Sequence, residues 1–599
     1  MRSIVTLLLL APALMFAVSL QPMTVLPVEG KVLSLEGKIL PSSPQPGSGP
    51  SREARALVGT IDTIGGTTYD WWANGPRLSA IVNSPTYGVH AVWMYCPDLT
   101  GQDFPNRNMR YNYYEYASRT WIYADPGDFM AGGVNVFPKR AGFGNIDADP
   151  TSGVAVIGGH VAVGADIMPW LARDAAPGAG LWDYADSMGL GVCQWPPISV
   201  GQDGQINIFA ITAAYDLIYG SIAPGNWPNW ATPVTGFVPS PGFPTHNIAA
   251  SKVSSKVALA WDVQGAVGSG PEHGYVDFTT DGGATWDGPT LLDPPTAFGG
   301  DTLTSYHITS MFPWYDRQDR FHVVANLAPV TLDSIRGYPS QVWHYCPDNT
   351  PQWSLIHLAT ADSFASGVSL GYNAAFACRP NIGQDNDGNL FVVWEQFDPL
   401  NYEPATMDLR ADIFASGSND NGVSWGAALK LTDAGSYSMR FPSVIDLAVA
   451  GDPDTMFVIY EIDSIAGFYV STTNSPEGPA TQNPAVVQKI PVDLVIPPGV
   501  AEQPGATPVR LDVVAKPNPF GRDTRLSYAV PHRGNVSLTI FDAAGRTVRT
   551  LASGRSEPGR FSAVWDGRSQ SGALVPNGVY MYRYALDGKR MAGKLTLIR

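Results

Sequence analysis

Residues 279–286 read TTDGGATW and residues 418–425 read SNDNGVSW. Both follow Ser/Thr-x-Asp-x-Gly-x-Ser/Thr-Trp, and each residue type has a local task. The short aspartate side chain accepts backbone N–H groups inside its own turn, glycine permits a positive φ, and tryptophan supplies a large apolar wedge. All three tasks are structural. A third stretch, CPDNTPQW at 346–353, keeps Asp348 and Trp353 but carries Thr350 in place of the glycine. ARDAAPGAGLW, ending at Trp182, reads as a lengthened copy built on Asp174.

These turns run in phase with a larger unit: an apolar strand, a polar turn and a second apolar strand. Seven copies lie between about Gly75 and Lys489, with second strands through Trp93, Val156, Ile208, Trp261, Val324, Trp394 and Tyr460, spaced 52 to 70 residues apart. Six copies lead to a closing tryptophan: Trp121, Trp182, Trp230, Trp286, Trp353 and Trp425. The seventh has none, and residues 55–72 are placed to supply a strand that closes it. A unit of this length holds about four short strands and cannot bury both faces alone. Radial stacking of such sheets solves the problem and leaves only short edges. The composition agrees, with 62 Gly, 51 Pro, 65 aromatic residues and only 15% charged residues. The expected fold is therefore all-β: a six- or seven-bladed β-propeller, seven preferred, plus a C-terminal immunoglobulin-like β-sandwich.

The eight-residue motif is similar to the Asp-box of sialidase-like (BNR-repeat) propellers. RPNIGQDNDGNLFVVWEQ, with DIFASGSNDNGVSWG after it, resembles a complete blade of that kind. The resemblance makes Asp281, Gly283, Trp286, Asp348, Trp353, Asp420, Gly422 and Trp425 structural Asp-box residues. It also implies where chemistry would sit: three arginines gripping a substrate carboxylate near the axis, a tyrosine–glutamate nucleophile pair and an aspartate acid/base, away from the Asp-boxes.

Arginines at inner-strand starts are Arg77, Arg379 and Arg440. Converging guanidiniums bind a carboxylate bidentately, so these three are the candidate ligand-binding residues. Against them, the Arg-Ile-Pro signature of enzymatic sialidases is missing at Arg77, and arginines that begin blades commonly pair with local carboxylates. Tyr111, Tyr113, Tyr114 and Tyr116 flank Glu115 in RYNYYEYASRTW, a spacing that suits a packed strand better than a nucleophile pair. Glu395 is a lone acid, and glycoside hydrolysis needs two at a defined separation. No catalytic residue is assigned. The nine histidines show no metal spacing, and the aspartate-rich turns at 147–153 and 383–389 read as Asx-turns, so neither metal nor cofactor is expected. Cys96, Cys193, Cys346 and Cys378 leave disulfide pairing open.

From Asp512 the charge balance changes, with 14 Lys/Arg against 6 Asp/Glu in a chain whose net charge is −16. This tail carries Pro517-Asn518-Pro519-Phe520, Asp542-Ala543-Ala544-Gly545-Arg546, Trp565-Asp566-Gly567 and Asn577-Gly578-Val579-Tyr580. These segments resemble the C-terminal sorting domain of type IX (Por) secretion cargo and the immunoglobulin-like domain of flagellar hook-capping proteins. At the other end, Arg2 precedes an apolar run from Ile4 to about Leu20, with Ala17-x-Ser19 as a cleavage site. This is the pattern of a secretory signal peptide. The expected organisation is signal peptide 1–20, linker 21–54, propeller 55–490, linker 491–512 and sorting domain 513–599. The acidic body excludes nucleic acid as a partner, and no further run is long enough to span a membrane. The expected protein is exported, to the cell surface or beyond it, and non-catalytic. It recognises a glycan or a protein, with secretion machinery as a second partner. The alternatives are a sialidase-type glycoside hydrolase and a structural adhesion component.

Overall fold

The computed structural model describes residues 58–496 and 513–599 apart from short stretches, among them 74–77, 187–192, 238–244, 264–272 and 293–296. The signal peptide, most of the first linker and Arg77 lie outside the described residues. Two units result, divided at 498/499.

Besides a two-stranded ribbon of Ala297–Phe298 and Asp301–Thr302, unit one contains seven antiparallel sheets of four or five strands among the described residues, each begun by an inner strand. Blades 1 to 7 start with Ile81–Ser84, Ala141–Ala148, Ile198–Val200, His246–Ala250, Tyr306–Tyr315, Ala377–Gln384 and Ser438–Val444. Second strands follow at Gly88–Tyr95, Ala155–Val163, Ile206–Thr212, Val257–Val263, Phe321–Thr331, Leu390–Tyr402 and Thr455–Asp463. They contain the seven positions that the repeat marked. Blade 7 is completed by Thr60–Thr67, which pairs antiparallel with Asn483–Pro491. The first strand of the chain thus locks onto its last blade, which explains why that blade needs no closing tryptophan of its own. The packed chain also runs past 490: Val492, Val495 and Ile496 are buried in the propeller core.

Inner strands present unpaired backbone groups to their neighbours, an edge that must be satisfied. Short polar side chains do this at six of the seven junctions, and a backbone bond serves the seventh. Asn145 of blade 2 accepts from Ile198 N–H (3.0 Å) and donates to Ile198 C=O (2.9 Å) in blade 3, and Asp147 accepts from Val200 N–H (2.7 Å). Ser199 then accepts from Ala250 N–H, Asn247 donates to Met311 C=O, and Gln384 accepts from Arg317 N–H. Asn381 of blade 6 accepts from Val444 N–H, Ser443 of blade 7 accepts from Ala80 N–H, and Ile146 N–H returns to Ser79 C=O.

The Asp-boxes fasten the other end of the blades. Asp281 accepts from Thr285 N–H (2.9 Å), Thr285 hydroxyl (2.6 Å) and Thr279 hydroxyl (2.7 Å), bonds that hold its carboxyl down to about 2. Asp420 repeats this with Ser424 and Ser418. Three of the closing tryptophans then pack edge-on against the third strand of the preceding blade. Trp286 meets Tyr219 at 5.0 Å, Trp425 meets His344 at 5.2 Å, and Trp182 meets Tyr111 at 5.0 Å. The glycines fit into the same seams, since a Cβ on Gly283 or Gly422 would strike Tyr219 or His344. Asp348 departs from this scheme. It is exposed, and its turn closes instead through Cys346 N–H donated to Gln352 C=O. Without the glycine, Trp353 packs on Tyr345 and Trp343 of its own blade. All four cysteines are buried free thiols.

Unit two is a sandwich of a three-stranded sheet (Val513–Lys516, Thr524–Val530, Gly559–Trp565) and a four-stranded one (Gly534–Phe541, Thr547–Ser556, Gly578–Leu586, Lys589–Leu597). Its motif residues are tied into the fold. Asn518 accepts from Thr596 N–H (2.9 Å) and donates to Lys594 C=O (2.8 Å), and the fully buried Trp565 packs on Phe520 and Tyr580.

Gly422 has φ +76° and no room for a Cβ, whereas Gly225 has the same φ and open space around it. Gly422→Ala is therefore expected to cost about 2–4 kcal/mol in denaturant unfolding, against about 1 kcal/mol for Gly225→Ala. Equal losses would contradict the seam.

Candidate functional site

Inner strands begin, and the loops between second and third strands lie, at the end of the propeller opposite the Asp-boxes. There the chain repeats one irregularity. Phe143, Trp195, Arg379 and Phe441, in register at the starts of the inner strands of blades 2, 3, 6 and 7, have φ of 49°, 44°, 56° and 57°. Pairing shifts register just beyond them, between Gly142 and Asn145, Cys378 and Asn381, and Arg440 and Ser443. A left-handed conformation costs a bulky residue about 1–2 kcal/mol. Here it swings large side chains to the axial end.

In blades 6 and 7 these side chains form a sealed core. Arg379 and Arg440 do converge, but on Glu395 of blade 6's second strand rather than on an open pocket. Arg379 donates to Glu395 Oε1, and Phe441 N–H donates to Oε2 at 2.7 Å. Burial pushes the Glu395 carboxyl up, yet Arg379 and Arg440 bring it below the usual range. Phe441 underlies both guanidiniums, at 4.7 and 5.1 Å, and Phe468 covers Arg440 at 5.2 Å. The two arginines chosen from the sequence are 1% and 3% exposed, so they are structural cations already matched by an acid.

Around them stands an excess of acids. Asp70 accepts from Tyr469 and Val470 N–H, pinning the closing segment to blade 7, and burial raises its carboxyl to about 6. Burial, then the neighbouring Asp408, raises Glu477 to about 7. Burial and the charge of Asp70 push Asp463 well above its ordinary value, and Glu461 behaves alike, with Asn483 donating to both.

Blades 1 to 3 present the opposite balance. Arg107, at the end of blade 1's loop, is buried with only neutral partners: Ala141 C=O (3.0 Å), the Tyr69 hydroxyl (3.0 Å) and His160 Nε2 (3.3 Å). Arg140 donates through Nε to Phe104 C=O (3.0 Å), and its terminal nitrogens have no partner among the described residues. Burial, then the charge of Arg107, lowers its pKa. The imidazole of His160 is held neutral, far below its usual value, by burial and by both guanidiniums. Because Arg107 only donates, His160 Nε2 accepts and Nδ1 carries the proton. That Nδ1–H is buried and unpartnered. Aromatic rings line the same place: Phe143 lies 5.1 Å from His160, Trp195 lies 6.0 Å from His160 and 6.4 Å from Phe143, and Tyr69 lies 6.2 Å from Phe143. The exposed Asp103 acts on Arg140 from nearby, but neither guanidinium forms an ion pair among the described residues, so the two beside a neutral donor form a site that an anion would relieve.

Sequence reasoning missed this group. Arg140 immediately precedes the inner strand of blade 2 and belonged with Arg77, Arg379 and Arg440, whereas Arg107 and His160 carry no local signal. The tyrosines of 111–116 are packing residues, as with Tyr114 against Phe457 and Trp121, and Tyr116 donates to Asn83. Among the described residues no group of His, Cys, Asp or Glu is placed to hold a metal, and no helix is long and apolar enough to cross a membrane.

Residues 525–589 match the FlgD Ig-like domain family. No curated protein matches the chain. Among solved structures the chain is similar to a polysaccharide lyase, a PL25 ulvan lyase, at 14% identity, covering 72% of this chain and 95% of that one with a TM-score of 0.42. The Hadza microbial sialidase Hz136 matches at 13% identity, 66% and 75% coverage and a TM-score of 0.33. The six-bladed fungal lectin from Aleuria aurantia matches at 11% identity, 58% and 93% coverage and a TM-score of 0.30.

Two outcomes are expected. Glu395→Gln leaves two buried guanidiniums short of a counter-ion and is expected to lower unfolding free energy by about 3–5 kcal/mol. Glu477 is raised from 4.5 to about 7, so between those values the folded state holds a proton that the unfolded state has released. Stability contributed by this proton is complete at the acid end and is lost as pH rises through about 7. Glu477→Gln is expected to flatten that decline in melting temperature, and an unchanged slope would contradict it.

Proposed function

We propose that this protein is an exported, non-catalytic recognition propeller for an acidic glycan, bound at the axial end of blades 1 to 3. The observation that carries the reading is the pair Arg107 and Arg140, which form no ion pair among the described residues, with the unpartnered His160 Nδ1–H beside them. A carboxylate or sulfate ester placed there neutralises the guanidiniums and receives the imidazole proton in a hydrogen bond, while Phe143 and Trp195 offer faces for sugar C–H groups. Export rests on the signal-like amino terminus. Sorting through a type IX system rests on the sequence of the basic C-terminal domain, whose Asn518 and Trp565 motifs are built into its sandwich.

A second reading rests on Tyr69, whose hydroxyl sits on the same guanidinium as His160. With a uronate carboxylate neutralised there, the Tyr69 oxygen, once its own proton has passed to solvent, removes the proton α to it. The 4-linked sugar oxygen departs with the proton of His160 Nδ1, leaving a C4=C5 double bond. Hydrolysis has less support, since no carboxylate pair stands beside Arg107 and Arg140 among the described residues.

The test is calorimetric titration with uronate-containing and sulfated oligosaccharides and their neutral counterparts. The acidic ligands are expected to bind, more weakly as salt rises. Arg140→Gln is expected to weaken binding about tenfold or more, roughly 1.4 kcal/mol, with an unchanged melting temperature. Equal affinity for neutral and acidic ligands, or no effect of Arg140→Gln, would refute the reading. Release of an unsaturated product, abolished by Tyr69→Phe, would replace recognition with elimination.

A further inference from the structure

A cavity lies at the Asp-box end of the propeller, between blades 2 and 3, with a volume of about 90 Å³. Its polar and aromatic lining comes from the turn after blade 2's inner strand (Asp149), blade 2's third strand (Arg173), the turn after blade 3's inner strand (Asp203) and the segment after Leu217–Ile222 (Trp227), and aliphatic side chains of the flanking strands, Val156 and Ile206 among them, line it too. None of these residues belongs to an Asp-box or to the axial cluster.

The chemistry of the wall is specific. Trp227 is held by its own Nε1–H, which donates to Asp183 at 2.9 Å, so its ring is fixed while its face borders the cavity. The Arg173 guanidinium lies 5.9 Å from that ring and forms no hydrogen bond or ion pair with the described residues. Asp149 spends one carboxylate oxygen on Thr151 and Ser152 N–H, and Asp203 spends one on Gln205 N–H. The second oxygen of each has no partner among the described residues. The cavity thus offers two acceptors, one planar donor and one aromatic face.

We infer that this cavity binds one uncharged sugar residue of a glycan. Vicinal hydroxyls donate to the free oxygens of Asp149 and Asp203 and accept from Arg173, and the C–H face of the ring packs on Trp227. Two carboxylates against one guanidinium leave a net negative wall, which disfavours the anionic ligands proposed for the axial end. The volume equals roughly three waters at about 30 Å³ each, enough for the hydroxyl-bearing edge of a single pyranose. The protein would then hold a glycan at two chemically distinct places.

The experiment is ligand-observed NMR and calorimetry of the full chain against neutral methyl pyranosides of hexose, deoxyhexose and pentose configuration, with calcium chloride as a separate arm. At least one pyranoside is expected to bind. Trp227→Ala and Arg173→Gln should each weaken it about tenfold or more, and Arg140→Gln should leave it unchanged. Asp203→Asn keeps the turn-capping oxygen and serves where the tryptophan variant fails to fold. Its loss of binding with an unaltered melting temperature also supports the site. The inference is overturned if no neutral pyranoside binds, if binding survives Arg173→Gln and Asp203→Asn, or if only calcium binds.

Discussion

Everything in the propeller depends on how seven inner strands satisfy one another at the axis. Their backbone edges cannot pair as a continuous sheet, so Asn, Ser, Asp and Gln side chains carry the hydrogen bonds from blade to blade. The chain runs through Asn145, Asp147, Ser199, Asn247, Gln384, Asn381 and Ser443 and returns to blade 1 at Ala80. Buried polar groups of this kind are costly unless every one is met. Once the ring closes, the strand Thr60–Thr67 has a fixed place on blade 7, and the Asp-box tryptophans need only fasten the opposite end.

The same ring sets the axial chemistry. A repeated bulge with a bulky left-handed residue delivers Phe143 and Trp195 to one sector and Arg379 and Phe441 to another. What differs is the company each keeps. Blades 6 and 7 bring Glu395 and a belt of acids, so the arginines are neutralised and sealed under Phe468. Blades 1 to 3 bring Arg107, Arg140 and a neutral His160, leaving positive charge that no ion pair neutralises among the described residues. One backbone device therefore yields a structural core on one side and a site fit for an anion on the other.

Much of the fold was legible because it is written in period. The blade spacing, the closing tryptophans and the need for an amino-terminal strand all follow from repeats, and the Asp281 and Asp420 turns behave as their residues dictate. Asp348 shows the limit, since an aspartate kept without its glycine is no longer an Asp-box. The polar ring is partly visible as Asn-Ile at 145–146, 247–248 and 381–382, a dipeptide too short to stand out beside the eight-residue turns. The site was less legible for a physical reason. Arg107, Arg140, His160 and Tyr69 come from four elements, and whether an arginine is spent depends on carboxylates distant in sequence, as Glu395 is spent on Arg440.

The claim that the unmatched guanidiniums of blades 1 to 3 are the functional centre is tested most directly by a crystal structure with a bound uronate disaccharide. The account predicts its carboxylate at the terminal nitrogens of Arg140 and within hydrogen-bond reach of His160 Nδ1, with a sugar face against Phe143 or Trp195. A carboxylate seated instead on Arg379 and Arg440, with Glu395 displaced, would contradict it.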